Sequence, residues 1–195
     1  MDMAQRYLES LNQAYAAAGH GQTWAHFTAV AHGISPQDRE KLLAAYPQTP
    51  AALLGLLDRI DGSYWREYRG EETAVFMLGS DMAEYPYYLL SAEQMLDDKQ
   101  DWLHDYIRRE YEQFGVEVDG RITDKPETLN WLHFADCANN GGTSMLFVDF
   151  SPSPQGVSGQ IVRFVHDPDE LTVIAGSFEQ YLQKLLDDGL DFIRP

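Results

Sequence analysis

Two short runs of this chain hold the residue types that metal and acid–base chemistry require. In "HDPDE", His166, Asp167, Asp169 and Glu170 place an imidazole and three carboxylates within five positions. In "WLHFADC", His133, Asp136 and Cys137 offer nitrogen, oxygen and sulfur ligands on what reads as a strand. Asp149 closes the apolar run "TSMLFVD" and would orient His166 as a general base if their strands were neighbours. The spacing argues against each reading. A calcium loop needs alternating oxygen ligands with a glycine at the bend, which "HDPDE" does not supply. Zinc needs a fuller ligand set, and no C-x-x-C or H-x-x-x-H pair accompanies His133. On a regular strand His133 and Cys137 share a face and Asp136 opposes them. "GVSG", Gly156 to Gly159, lacks the G-x-S-x-G of a nucleophile elbow and sits in a Pro/Ser loop. "NNGG", Asn139 to Gly142, suits a tight turn and lacks the lysine and helix of a phosphate loop. The expectation is therefore a chain with no catalytic, cofactor-binding or metal-binding residues, against the alternative of a hydrolase or metal enzyme built on His166, Asp149 or the His133–Cys137 group.

The elements around these runs explain why they read as joints. Ala4, Tyr7, Leu8, Leu11, Ala14, Tyr15 and Ala18 recur at helical spacing, with Gly19 as the stop. A short helix covers Thr23 to Ala31. Ser35 caps and Pro36 opens a third helix that Pro47 ends. Thr49 caps and Pro50 opens a fourth, with Leu53, Leu54, Leu57 and Ile60 as its stripe and Gly62 as its close. "SYWREY", "TAVFMLG" and "YPYYLL" carry strand composition, with a hairpin between Gly62 and Gly79. Ser91 and Gln94 form a capping box, and "DWLHDYIRREYEQFG" is an amphipathic helix. "NWLHFADC", "TSMLFVDF", "QIVRFV" and "LTVIA" read as strands. Ser177 caps a last helix whose stripe is Phe178, Tyr181, Leu182, Leu185 and Leu186. "HDPDE" is then the connector between two strands. The order predicts an α+β fold, an antiparallel sheet flanked by N-terminal and C-terminal helices.

The chain has 195 residues, 44% of them hydrophobic, enough for one domain that needs no disulfide or metal staple. Asp and Glu number 31 against 14 Lys and Arg, a formal net charge of −17. Such a surface repels nucleic acid and anionic membranes and speeds encounter with a basic protein. Cys137 is the single cysteine and cannot form an internal disulfide, which points to a reducing, cytoplasmic setting. No apolar run approaches the ~20 residues of a membrane helix, and the polar, acidic start "MDMAQRYLES" does not resemble a signal peptide. Trp65, Tyr85, Tyr87 and Tyr88 lie near the hairpin strands. Alternation puts Tyr85 and Tyr87 on one face and Tyr88 on the other. Tyrosine and tryptophan are common interface anchors, so these four are the expected partner-binding residues.

The run "GVSGQIVRFVHDPDELTVIAGSFEQYLQKLLDDG" resembles the C-terminal signature of the SUKH superfamily, which includes fungal cell-wall assembly regulators of the Smi/Knr type and many bacterial relatives. The matching features are the Gly156 and Gly159 loop, the Gly159-Gln160-Ile161 strand start, a variable acidic turn, and Ala175, Ser177, Phe178, Tyr181 and Leu182. "TPAALLGLLDRIDG" is similar to the family's Pro-initiated helix, and "NWLHFADCANNGGTSMLFVDF" to its central strand pair, ending in Asp149. Residues 49–189 look like the family core, with residues 1–45 as a helical addition within a single domain spanning 1–195. The resemblance implies an α+β fold without enzymatic activity. It implies binding of a protein partner, as in an immunity protein that neutralises a toxin, here one with a basic surface such as a nuclease. The alternative it leaves open is a regulatory or scaffold role of the cell-wall regulator kind.

Overall fold

The structure is a computed structural model and describes residues 2–82, 85–97, 117–139, 142–166 and 170–194. Among these residues the helices are α1 (Met3–Ala17), α2 (Gly21–Val30), α3 (Pro36–Ala45), α4 (Ala51–Leu57), α5 (Ala92–Asp97) and α6 (Phe178–Asp187). The strands are β1 (Arg66–Tyr68), β2 (Glu71–Thr73), β3 (Tyr88–Leu89), β4 (Glu117–Val118), β5 (Trp131–Asn139), β6 (Gly142–Asp149), β7 (Gln160–Val165) and β8 (Glu170–Ala175). β1 and β2 form a small separate hairpin, and the main sheet runs β3-β5-β6-β7-β8-β4. Its pairs from β3 to β8 are antiparallel, as the α+β reading expects. The two-residue β4 is a departure, pairing parallel with β8 at the edge. The amphipathic run from Asp101 to Gly115 and the turn at Asn140–Gly141 lie outside the described residues.

Local chemistry sets most helix starts. Asp2 accepts from the Gln5 N–H at 2.8 Å, and Ser35 from the Asp38 N–H at 3.1 Å, each satisfying one of the free amides of a first turn. The capping box at α5 is reciprocal: the Gln94 N–H donates to Ser91 Oγ and the Ser91 N–H to Gln94 Oε1. Ser177 caps α6 through the Gln180 N–H. Thr49 does not cap α4. Its hydroxyl donates to the Tyr46 carbonyl at 2.7 Å and closes the turn after α3, leaving Pro50 as an N-cap without a side-chain bond. Gly62 does not end α4 either, since the helix stops at Leu57. Gly62 stands at φ +87° where a Cβ would lie 2.5 Å from the Ser91 nitrogen, so glycine there allows two chain segments to touch.

The sheet has an apolar layer on each side. On one, Leu132, Phe134, Ala135, Leu146, Val148 and Ile161 pack with Leu53, Leu56 and Leu57 of α4 and Phe178, Tyr181 and Leu182 of α6. Tyr7, Leu11 and Tyr15 of α1 belong to this same cluster. The other layer holds Trp131, Phe147, Val162, Phe164, Leu171 and Val173, with Ile122 over them.

The run "TAVFMLG" has strand composition, yet after Thr73, the last residue of β2, it adds a single isolated bridge, Leu78 with Tyr87. Its carbonyls find other partners. Tyr15 donates to the Phe76 carbonyl at 2.7 Å, Tyr7 to Met77 at 2.8 Å and Tyr181 to Gly79 at 2.6 Å. Helix side chains thus replace a neighbouring strand, which is why a strand pattern becomes an irregular buried segment.

Candidate protein-binding site

The two runs with chemical potential come apart in the fold. β6 and β7 are neighbours, but Asp149 is paired with Gln160 while Ser144, at the other end of β6, is paired with Val165. His166 follows Val165, so Asp149 and His166 occupy opposite ends of the hairpin. Asp149 is fully buried and accepts from the Ser151 N–H at 2.7 Å and the Gln160 amide at 2.9 Å. Burial raises its pKa, and the Ser151, Gln160 and Trp131 donors oppose that shift. Gln160 also donates to the Arg121 carbonyl, so Asp149 ties the 150–160 loop to the sheet. Glu170 accepts from Arg163 at 3.2 Å, and Arg163 holds Asp81 at 2.6 Å on its other side. Asp167 and Asp169 lie outside the described residues. Among the described residues no group of three or more His, Cys, Asp or Glu is placed to hold a metal ion.

A β-bulge changes the second run. The β5–β6 register shifts between His133 and Ala135, so the faces of β5 exchange at that point. Phe134, Ala135 and Cys137 all enter the layer beneath the helices. His133 and Asp136, expected on opposite faces, line one cleft instead, and Cys137 points away from both. His133 is 4% exposed, packs at a tilt against Phe147 with centroids 4.9 Å apart and contacts the Ala135 carbonyl through Nε2 at 3.0 Å.

That cleft has a volume of about 430 Å³ and lies between α5 and β5, with Tyr64, Arg66, Glu93, Asp97, His133 and Asp136 around it. Arg66 is directed by Asp61, a buried residue whose carboxylate accepts from Arg66 at 3.1 Å and from the Ala92 N–H at 3.0 Å. The Tyr64 ring packs at a tilt against Tyr88, centroids 5.2 Å apart, and Tyr88 likewise against Phe76 at 4.5 Å. Burial and then the nearby Asp136 carboxylate push the Tyr64 phenol up.

Of the four aromatics expected at an interface, Trp65 is the open one, 55% exposed. It holds a left-handed backbone, φ 48°, a region that disfavours bulky side chains. Tyr85 and Tyr88 are half-buried. Tyr87 has no exposure and cannot touch a partner from this fold. It shares a 2.7 Å hydrogen bond with Ser144, whose hydroxyl donates to the Phe164 carbonyl, and burial pushes its phenol up to about 12. The alternation that paired Tyr85 with Tyr87 fails because the strand here is only Tyr88–Leu89. Tyr64 and the α5 carboxylates were missed by sequence reasoning. The i, i+4 spacing of Glu93 and Asp97 was their only visible signal.

A second groove, between α1, α3 and α4, carries the ion pairs Arg39–Asp58 and Arg59–Asp2 along its rim. In the α5–β5 cleft Arg66 also stands 3.7 Å from Glu93, and Asp97 and Asp136 line the cleft beside that pair.

The family model of the SMI1 / KNR4 family (SUKH-1) matches residues 48–184. The chain belongs to the SMI1 / KNR4 family. The match takes in α4, the small hairpin, the whole main sheet and most of α6, while α1, α2 and α3 precede it. The family is generally non-enzymatic, and its domains bind protein partners in general. Among the curated proteins none matches the chain. Among the described residues no helix is long and apolar enough to cross a membrane.

Proposed function

We propose that this domain is a cytoplasmic immunity protein, which binds a toxin domain with a basic surface and neutralises it without turnover. Trp65, whose chain neighbours Tyr64 and Arg66 line the α5–β5 cleft, forms the contact surface together with the half-buried Tyr85 and Tyr88. The observation that carries the reading is the pairing of an exposed, strained Trp65 with an acidic cleft on a chain of net charge −17. An aromatic anchor with like-signed carboxylates around it is suited to a basic protein. The same charge opposes nucleic acid and membrane surfaces. Residues 1–195 act as one folding unit in this reading, because α1 shares the core of the matched region.

The test is a pull-down with the product of an adjacent toxin-like gene, run with wild type and Trp65→Ala. Capture by wild type and loss in the variant support the proposal. No capture of that product, with the folded chain retaining a different, non-toxin partner, favours the second reading. That reading is a regulatory or scaffold role of the cell-wall regulator kind, and it draws on the match to the SMI1 / KNR4 model.

A further inference from the structure

We propose that a slot between the turn after α3 and the joined ends of β5 and β6 receives an uncharged, proline-containing extended segment of a protein partner. The inference rests on the protein-binding reading in general, and on neither Trp65 nor the toxin.

Charge is the first argument. Tyr46, Pro47, Gln48, Asn130 and Phe150 line the slot, and none of these described residues is charged. The two clefts described above carry arginines and carboxylates together. On a chain of net charge −17, an uncharged recess accepts a segment without charges and desolvates no ion pair in doing so. Val157, 61% exposed, is with Trp65 one of the large apolar side chains left open among the described residues. Its chain neighbour Ser158 donates to Gln48 Oε1 at 3.2 Å, so the turn that carries Val157 abuts the slot.

Hydrogen-bonding capacity is the second. Ser158 occupies the Gln48 oxygen, which leaves the Gln48 NH2 group to donate. Asn130 engages Ser151 and Phe150 through its backbone, and its side-chain amide is bonded to none of the described residues. A polyproline-type segment has no internal hydrogen bonds and carries its carbonyls bare. Amide donors beside an aromatic pair match it, with a prolyl ring against the aromatic faces and a carbonyl on an NH2 group. The Tyr46 and Phe150 rings supply those faces, packed at a tilt with centroids 6.2 Å apart. A volume of about 190 Å³ is below the range of cofactor sites and suits one such ring.

Rigidity supplies the third argument. Asn130 and Phe150 flank the Trp131–Asp149 pair of β5 and β6, and the Phe150 N–H donates to the Asn130 carbonyl at 2.9 Å. The Tyr46 carbonyl accepts from both the N–H and the hydroxyl of Thr49, at 3.1 and 2.7 Å, which closes the turn bearing Pro47 and Gln48. Val157 is held through both its backbone groups. Its carbonyl accepts from the Gln160 N–H at 3.0 Å and its N–H donates to Gln160 Oε1 at 3.1 Å. Three segments are thus fixed before a partner arrives, and docking costs little loop ordering. The apolar Val157 beside the slot also favours a chain, which runs on past the recess, over a single sugar ring, which stops within it.

The test uses the full chain. The acetylated, amidated peptide Pro-Pro-Ala-Pro-Pro is titrated and followed by heteronuclear NMR, with the Gly-Ser-Ala-Gly-Ser peptide and cellobiose as comparison probes. The expected result is saturable shifts at the Gln48 and Asn130 side-chain amides, Phe150 and Val157. Binding is weaker by about fivefold or more for the flexible Gly/Ser peptide and absent for cellobiose. Asn130→Ala and Val157→Ser, both at exposed positions, each weaken the proline peptide by about threefold or more, and Trp65→Ala leaves it unchanged. Shifts that do not saturate, equal responses to the two peptides, cellobiose shifting the same groups, or unaffected Asn130→Ala and Val157→Ser overturn the inference. A partner protein lost by Trp65→Ala but held at full affinity by the Asn130→Ala/Val157→Ser double variant also overturns it, while leaving the protein-binding function standing. Saturation by the proline peptide in a chain that captures no toxin supports the slot and removes the toxin reading alone.

Discussion

The Tyr181 hydroxyl donates a 2.6 Å hydrogen bond to the carbonyl of Gly79, 102 residues earlier in the chain. Both groups are in the core, where an acceptor left without its donor keeps its desolvation cost and gains nothing in return. Tyr181→Phe preserves the ring and its contact with Phe134, so its effect isolates the hydroxyl. The expected loss is about 1–3 kcal/mol, seen as a lower urea midpoint at unchanged slope.

Asp61 joins two segments that do not otherwise share a strand. Its Oδ1 holds the Ala92 N–H at the start of α5 and its Oδ2 holds Arg66 on β1. Asp61→Ala takes the carboxylate from a guanidinium that is only 19% exposed, leaving it the Asp61 carbonyl and Glu93 at 3.7 Å, and takes the acceptor from the Ala92 N–H. The expected cost is about 3–5 kcal/mol. Ser91→Ala, which removes one arm of the capping box at the same helix, is expected to cost about 1 kcal/mol. Equal losses for the two variants in denaturant titration would show that Asp61 acts only as a cap.

Acid sensitivity should centre on Asp119. Arg121 grips both of its carboxylate oxygens and the Val173 N–H donates to it, so its pKa falls from 3.8 to about 2. A depressed folded pKa means stability that is complete above the unfolded value and lost as pH falls through the folded one. The window is therefore about pH 4 down to pH 2, and the amount roughly 2 kcal/mol. Asp149, with a raised pKa, has the opposite sign and becomes less costly to bury as pH falls. Asp119→Asn should flatten the decline of thermal midpoint across that window. An unchanged profile would place the acid transition elsewhere.

The helices that precede the family match should be inseparable from it. Leu11 has no exposure and sits in the same cluster as Leu53 and Phe178. Leu11→Ala is expected to cost about 2–5 kcal/mol, and a chain starting at residue 46 to show no cooperative thermal transition by circular dichroism.

Trp65 and Tyr87 should behave oppositely. Trp65→Ala removes an exposed side chain and should leave stability within about 0.5 kcal/mol while weakening partner binding by more than about 2 kcal/mol. Tyr87→Ala empties a core site and should unfold or strongly destabilise the domain. Calorimetric titration beside thermal melts separates the two effects.

The sequence made the caps legible, because Ser35, Ser91 and Ser177 act through neighbours three residues away. It also marked the four long strands, whose apolar runs are bounded by turn residues. What it could not reveal depends on distant partners. Nothing near Val75 to Gly79 announces that tyrosines of α1 and α6 will take its carbonyls. Nothing in "WLHFADC" announces that one extra residue will turn His133 and Asp136 to the same side. Thr49 looked like a cap because Pro50 follows it, but the Tyr46 carbonyl was the closer acceptor. Of the proposed contact residues, Trp65 faces out and Tyr87 faces in, a difference that composition does not distinguish.

The four successive carbonyls from Phe76 to Gly79 are all engaged, three by tyrosine hydroxyls and Leu78 by the Tyr87 N–H. Tyr87 is bonded to that segment, and the outward amide and carbonyl of Leu89 are taken by Ser63. Among the described residues this rim of the sheet thus has no open rung on which a foreign strand could be zipped. Copies of the chain are barred from knitting into fibrils there, and any visitor approaching from that side must be distinguished by its side chains instead of its backbone.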